Sequence, residues 1–77
     1  MKKLKYETTN PITGEVATRK SHRTYTHAVW VKVKDEDSEG WYTKFSGTHD
    51  LARKAASSEK RWDRVVETHV AECTVVS

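Results

Sequence analysis

The segment YTHAVWVKVK, residues 25–34, decides the fold because its side chains alternate along its length. β-Branched and aromatic residues dominate it, as they do in half-buried strands. A period of two residues predicts a strand with two distinct faces. One face would carry Tyr25, His27, Val29, Val31 and Val33, and the other would carry Thr26, Ala28, Trp30, Lys32 and Lys34.

Turn-forming stretches on both sides of this segment predict two hairpins. The polar loop DEDSEG leads into WYTKFSG, where alternation resumes, so one hairpin is expected over residues 25–47. Upstream, alternating residues flank NPITGE, in which Asn10, Pro11 and Gly14 suit a bulged turn. We therefore expect another hairpin over residues 3–20.

A helix is predicted over residues 49–62 and a last strand over residues 65–76. Thr48 suits the N-cap, and Asp50 places negative charge in the first turn. A helical projection gathers an apolar arc that should dock on the sheet: Leu51, Ala52, Ala55, Ala56 and Trp62. The order β-β-β-β-α-β predicts an α+β domain, with one helix covering a mainly antiparallel sheet of four or five strands.

Length and composition limit the classes of protein to which this chain can belong. Its 77 residues suffice for one domain, residues 1–77, with one core. The one cysteine, Cys73, excludes an intramolecular disulfide framework, and we therefore expect a cytoplasmic protein. No apolar run could cross a bilayer and no signal-peptide core is present, so no membrane contact is expected. A homodimer stays open.

Charge is distributed unevenly along the chain, although the net charge is only +3. Residues 1–34 carry eight Lys and Arg against two acids, whereas residues 35–50 carry five acids against Lys44. The helical arc opposite the apolar one contains no acid, and its Lys60 and Arg64 form an unfavourable like-charged i,i+4 pair. This pattern favours an anionic partner, with an ordinary solvated face as the alternative.

A further basic stretch, TRKSHRTYTH, precedes the decisive strand. Its Lys and Arg side chains could neutralise phosphates, and its aromatic rings could stack on nucleobases. A solvated connection between strands has the same composition. An exposed Trp30 would mark an interface. The alternative is that the N-terminal hairpin folds over Trp30 and buries it. The predicted contact residues for nucleic acid or for a protein partner are Arg19, Lys20, Arg23, Tyr25, Trp30, Arg53, Lys54, Lys60 and Arg61.

The histidines and the cysteine do not predict a metal site. His69 and Cys73 are four residues apart, which on a strand is roughly 13 Å and too far for one zinc ion. His22, His27 and His49 could converge only through tertiary structure. We therefore expect no metal and no cofactor.

Catalysis is not expected either. There is no glycine-rich phosphate loop, and valines around Cys73 indicate a small packed residue rather than a nucleophile. A metal-independent ribonuclease toxin is the remote alternative, with a crowded phosphate stabilised by His22, Arg23, Tyr25 and His27.

Two resemblances accompany these patterns. The aromatic strands around Trp30, Trp41 and Phe45, followed by Gly47 and an alanine-rich helix, resemble AP2-type and integrase arm-type DNA-binding domains over residues 25–62. That likeness implies a sheet lying in the major groove, with the helix as its support. The acidic loop at residues 35–39 departs from the pattern and would repel DNA.

The runs RTYTHAVWVKV and DLARKAA resemble small uncharacterised accessory proteins of actinobacteriophages. That likeness implies a phage origin, the cytoplasm of the host cell and a host-directed or non-essential role, but no activity. The preferred hypothesis is a small non-catalytic binding module for an anionic partner, with nucleic acid slightly preferred. The alternative is a protein–protein interaction module or an inhibitor of a host protein.

Overall fold

The computed structural model describes residues 3–76, which form five strands and one helix in the order β-β-β-β-α-β. The elements are β1 (Leu4–Thr9), β2 (Val16–Ser21), β3 (His27–Lys34), β4 (Glu39–Ser46), α1 (His49–Glu59) and β5 (Val65–Val75). The α+β prediction is confirmed, while the ends of the predicted domain at residues 1–2 and 77 lie outside the described residues. No helix within residues 3–76 is long and apolar enough to cross a membrane.

The sheet has the order β2-β1-β5-β3-β4, and its neighbouring strands are antiparallel. Strand β5 joins the two hairpins because its first part pairs with β3 and its last part, residues 73–75, pairs with β1. The first hairpin is therefore displaced along β5, and the molecule is elongated, with extents of 43 × 23 × 19 Å.

The turn of the first hairpin forms as its residue types predict. The side-chain oxygen of Asn10 accepts a hydrogen bond of 2.8 Å from the backbone N–H of Ile12, and Asn10 itself is buried. Gly14 has a φ of +79°, a conformation that glycine adopts without the steric cost of a side chain. This turn holds β1 and β2 in register.

One face of the sheet packs against α1. Val29 and Val31 on β3 form a buried cluster with Ala52 and Ala56, as the alternation predicted for the valines. Small alanines bring the helix close to the sheet. At the helix start, the side chain of Thr48 accepts a hydrogen bond from the N–H of Leu51 at 3.1 Å, which confirms the predicted N-cap.

The predicted docking of Leu51 and Trp62 is wrong. Leu51 is 53% exposed, and Trp62 is 67% exposed. The helix ends at Glu59 rather than at residue 62, so the helical projection no longer applies to Trp62. Leu51 lies in the first turn, at one edge of the apolar arc, whereas Ala52 and Ala56 face the sheet.

The opposite face of the sheet is also covered. Tyr6, Thr8, Ala28 and Trp30 are buried there, and Trp30 is only 2% exposed. The indole N–H of Trp30 donates a hydrogen bond to the Thr8 hydroxyl, so the first hairpin shields the ring. The prediction of Trp30 as an accessible interface or stacking residue is therefore wrong.

Tyr25 lies in the connection before β3 and not within the strand. Its ring centroid lies 5.1 Å from that of Tyr6 and 5.6 Å from that of Phe45. These contacts place Tyr25 on the sheet face that carries Trp30 (the Trp30 face). Alternation predicted the opposite face, which carries Val29 and packs against α1 (the Val29 face). The prediction is wrong because β3 begins only at His27, so the alternation does not extend back to residue 25.

Candidate nucleic-acid interface

Helix α1 and the turn after it carry bases on the side away from the sheet. Because Ala52 and Ala56 face the sheet, the bases between and after them are exposed. We call this set the basic stripe: Arg53, Lys54, Lys60 and Arg61. The stripe borders a shallow depression of about 530 Å³, which is lined by Asp50, Arg53, Lys54, Ser57, Ser58 and Arg61.

Within residues 3–76, no member of the basic stripe forms a salt bridge. Two acids of the β3–β4 hairpin have other partners, whereas Asp50 lines the same depression as the stripe. Asp35 pairs with Arg64 at 3.5 Å, which removes that base from the arc predicted by the sequence, and Glu39 pairs with Lys32 at 2.6 Å. The four bases of the stripe therefore outnumber the one carboxylate, Asp50, that lines the depression, and this side of the molecule stays positive.

Glu59, the last residue of α1, is turned towards the sheet. Its buried carboxylate accepts hydrogen bonds from the Tyr42 hydroxyl at 2.5 Å and from the Lys44 ammonium, both on β4. The Lys44 bond, followed by the Tyr42 bond, lowers the pKa of Glu59. Burial, together with the neighbouring carboxylate, raises the pKa of Tyr42 to about 12. Glu59 thus fixes the helix end instead of neutralising the stripe.

Trp62 is the site residue that the sequence analysis missed. It directly follows Arg61, in the turn after α1, and its backbone N–H donates to the Glu59 carbonyl at 3.1 Å. Its ring borders a groove of about 620 Å³ that includes Val33, Tyr42 and Val65. Ser57 and Ser58, which are weaker helix formers than alanine, were the available signal for an early helix end.

The other predicted contact bases lie elsewhere on the molecule. Arg19 on β2 shares the Trp30 face, with its guanidinium carbon 5.7 Å from the centroid of the Tyr25 ring. Lys20 lies directly opposite Lys5, an unfavourable pairing of like charges. Arg23 lies in the β2–β3 connection, where its backbone N–H donates to the Ser21 hydroxyl at 3.0 Å.

The predicted contact residues therefore do not form one surface. The basic stripe lies on the helix covering the Val29 face, whereas Arg19 and Tyr25 lie on the other face of the sheet. Of the two sets, the stripe is the more continuous because a single helix and its cap position its bases. We take it as the candidate interface.

The predicted ribonuclease residues are not gathered into one cluster. Tyr25 packs on the Trp30 face, whereas His27 lies on the helix face, with its ring centroid 4.9 Å from that of His49.

The potential metal ligands are also distributed over several elements. His69 packs beside Trp41, at 5.8 Å between ring centroids. Within residues 3–76, no three His, Cys, Asp or Glu side chains are grouped as potential ligands of one metal ion.

Comparisons with known proteins provide no relative for this arrangement. No protein-family model, no curated protein and no solved structure matches the chain. A functional hypothesis therefore depends on the positions, charges and exposure of the residues described above.

Proposed function

We propose that this protein is a non-catalytic binding module for nucleic acid and that the basic stripe makes the phosphate contacts. The observation behind this proposal is the exposure of Arg53, Lys54, Lys60 and Arg61 without an acidic partner among residues 3–76. Exposed bases gathered on one side of the molecule create a positive potential there. A polyanion that binds them releases its own counterions, which favours binding.

The dimensions of the stripe indicate a small footprint. Arg53 and Lys60 are seven residues apart, which corresponds to roughly 10 Å along a helix with a rise of 1.5 Å per residue. Such a stripe reaches a few neighbouring phosphates. Binding by so few contacts is modest in affinity, depends strongly on salt and discriminates little between sequences.

Trp62 adds an aromatic surface at the end of the stripe. Its exposed ring follows Arg61 in the chain. When the phosphate of a nucleotide contacts the Arg61 guanidinium, the nucleobase can therefore stack on the indole of Trp62. Stacking of a base on an aromatic side chain contributes roughly 1–3 kcal/mol by alanine substitution. A single strand, whose bases are accessible, is therefore the preferred form of the ligand.

The cytoplasm is the setting that we propose for this activity. Nucleic acid is accessible there, and the single cysteine gives no disulfide framework. The resemblance of residues 23–33 and 50–56 to phage accessory proteins extends this proposal to the cytoplasm of a host cell.

Charge reversal at matched positions tests the proposal. Arg53→Glu and Lys34→Glu each change the net charge from +3 to +1, but Lys34 lies on β3, outside the stripe. In fluorescence anisotropy with a labelled single-stranded oligonucleotide at low salt, we expect Arg53→Glu to weaken binding several-fold more than Lys34→Glu. Equal effects of the two variants, or no binding by the unmodified protein, would reject the stripe as the interface.

A protein–protein interaction module is the second candidate, and the groove beside Trp62 favours it. This groove combines an exposed indole with Val33, Tyr42 and Val65, and its lining also carries the charged residues Lys44, Glu59, Asp63 and Arg64. Aromatic residues and arginine are enriched at interfaces. Binding of this kind would be lost in Trp62→Ala and retained in Arg53→Glu, with little dependence on salt. Nucleic-acid binding would instead weaken strongly as the salt concentration rises, and it requires Arg53.

A further inference from the structure

We propose that His27 and His49 together bind a divalent transition-metal ion such as Zn²⁺, Cu²⁺ or Ni²⁺. Their ring centroids are 4.9 Å apart, with an angle of 59° between the ring planes. His27 is the first residue of β3, and His49 is the first residue of α1. An ion held by both would connect the sheet to the start of the helix.

The separation of the rings fits a shared ion. Histidine nitrogens bind zinc at about 2.0–2.1 Å, so two imidazoles at neighbouring positions of a tetrahedral ion have centroids roughly 5 Å apart. The observed 4.9 Å agrees with that arrangement. The ring planes are tilted rather than parallel, which is compatible with one nitrogen of each imidazole facing an ion between the two rings.

A hydrogen bond prepares His27 to act as a ligand. The Thr26 hydroxyl lies 2.8 Å from Nδ1 of His27 and donates to the backbone carbonyl of Gly47 at 3.2 Å. In the tautomer that we propose for His27, the hydroxyl proton is directed at Gly47 and the hydroxyl accepts the Nδ1 proton. The other ring nitrogen, Nε2, is then the unprotonated one, as in histidines whose second nitrogen is oriented by a hydrogen bond while the first binds metal.

The two histidines are accessible to a cation, and carboxylates on α1 and β5 compensate part of its positive charge. His49 is exposed, and His27 is half-buried. Glu72 is the strand partner of His27, and Asp50 lies in the first turn of α1, where its negative charge offsets part of the positive end of the helix dipole. Because no third ligand side chain completes a cluster within residues 3–76, water fills the remaining positions of the ion.

Binding should stabilise the folded protein. The two histidines are 22 positions apart in the chain, so the site exists only when α1 is docked on β3. A ligand that binds the folded state alone shifts the unfolding equilibrium towards that state. With only two protein ligands, the ion should be held more weakly than in a closed structural zinc site with four.

Thermal unfolding with added metal tests the site, and the chain provides matched controls. With saturating Zn²⁺ we expect the unfolding midpoint to rise by roughly 5 °C and not to rise with Mg²⁺, which prefers oxygen ligands. His27→Gln and His49→Gln should abolish the rise. His22→Gln, His69→Gln and Cys73→Ser should retain it.

A second measurement protects the test against variants that fold poorly. In the unmodified protein, Zn²⁺ should shift the imidazole nuclear magnetic resonance signals of His27 and His49, and leave those of His22 and His69 in place. Absence of the thermal shift, its persistence in both His27→Gln and His49→Gln, or signal changes confined to other histidines would overturn the proposal. Neither readout involves nucleic acid, so failure here leaves the proposed interface unaffected.

Discussion

The indole Nε1 of Trp30 on β3 donates a hydrogen bond to the hydroxyl of Thr8 on β1, at 3.4 Å and across the intervening strand β5. The same hydroxyl donates to the backbone carbonyl of Glu72 at 3.0 Å. Side chains two strands apart meet because the long indole of Trp30 reaches across β5. The first hairpin is thereby part of the protein core, and it removes the most central tryptophan from the surface.

Trp30→Phe should destabilise the protein while Trp62→Phe should not. At position 30 the change removes the bond to Thr8 and leaves a space in a buried site, which together should lower the free energy of unfolding by roughly 1–3 kcal/mol. At position 62 the ring is exposed, and the effect should stay within about 0.5 kcal/mol. Urea denaturation followed by circular dichroism provides the comparison. Similar losses for both variants would show that the two indoles do not differ in burial.

Much of the fold follows from local sequence patterns. Alternation in residues 27–34 and turn chemistry around Asn10 and Gly14 predict the two hairpins, because these signals depend only on neighbouring residues. The Thr48 cap is local in the same way. The burial of Trp30 is not determined by local sequence, because it depends on how β1 and β5 pair. Residues far apart in the chain determine that pairing.

The candidate site was predictable only in part. The bases at positions 53 and 54 lie outward as the helical projection predicts, and those at positions 60 and 61 are also exposed although they follow the helix end at Glu59. Trp62 was assigned to the core because the projection was carried past Glu59, where the helix ends. The convergence of His27 and His49 had no local signal, since one lies on a strand and the other on a helix.

Glu59→Ala should lower the free energy of unfolding by roughly 1–3 kcal/mol, because it leaves the Tyr42 hydroxyl without its acceptor and the Lys44 ammonium without its partner. The loss should lie below that of a fully buried ion pair since Lys44 remains half-exposed. Glu36→Ala is the control, as Glu36 is exposed and its side chain makes no salt bridge within residues 3–76. Equal stabilities of the two variants would contradict this role of Glu59.

The same carboxylate should contribute to acid unfolding. The pKa of Glu59 is lowered in the folded protein, so its stabilising effect is present above its ordinary pKa of about 4.3 and is lost as the pH falls through the folded value. Glu59→Gln should flatten this acid dependence of the unfolding midpoint. An unchanged acid dependence in Glu59→Gln would assign it to other groups.

Tyr42 should reduce stability at alkaline pH. Its pKa is raised to about 12, whereas an unfolded tyrosine ionises near 10. Between these values the folded state retains a proton that the unfolded state has lost, so stability falls as the pH rises through this range. Tyr42→Phe should remove both this loss and a tyrosinate absorbance step centred near pH 12. Persistence of that absorbance step in the variant would contradict the assignment.

The salt dependence of nucleic-acid binding tests the proposed interface most directly. For a labelled single-stranded oligonucleotide, we expect the logarithm of the binding constant to fall with the logarithm of salt concentration with a slope of roughly −3, for four phosphate contacts at about 0.7 each. Arg53→Gln should make that slope shallower by about 0.7, while Lys34→Gln should leave it unchanged. A slope near zero in the unmodified protein, or equal changes in the two variants, would contradict phosphate binding by the basic stripe.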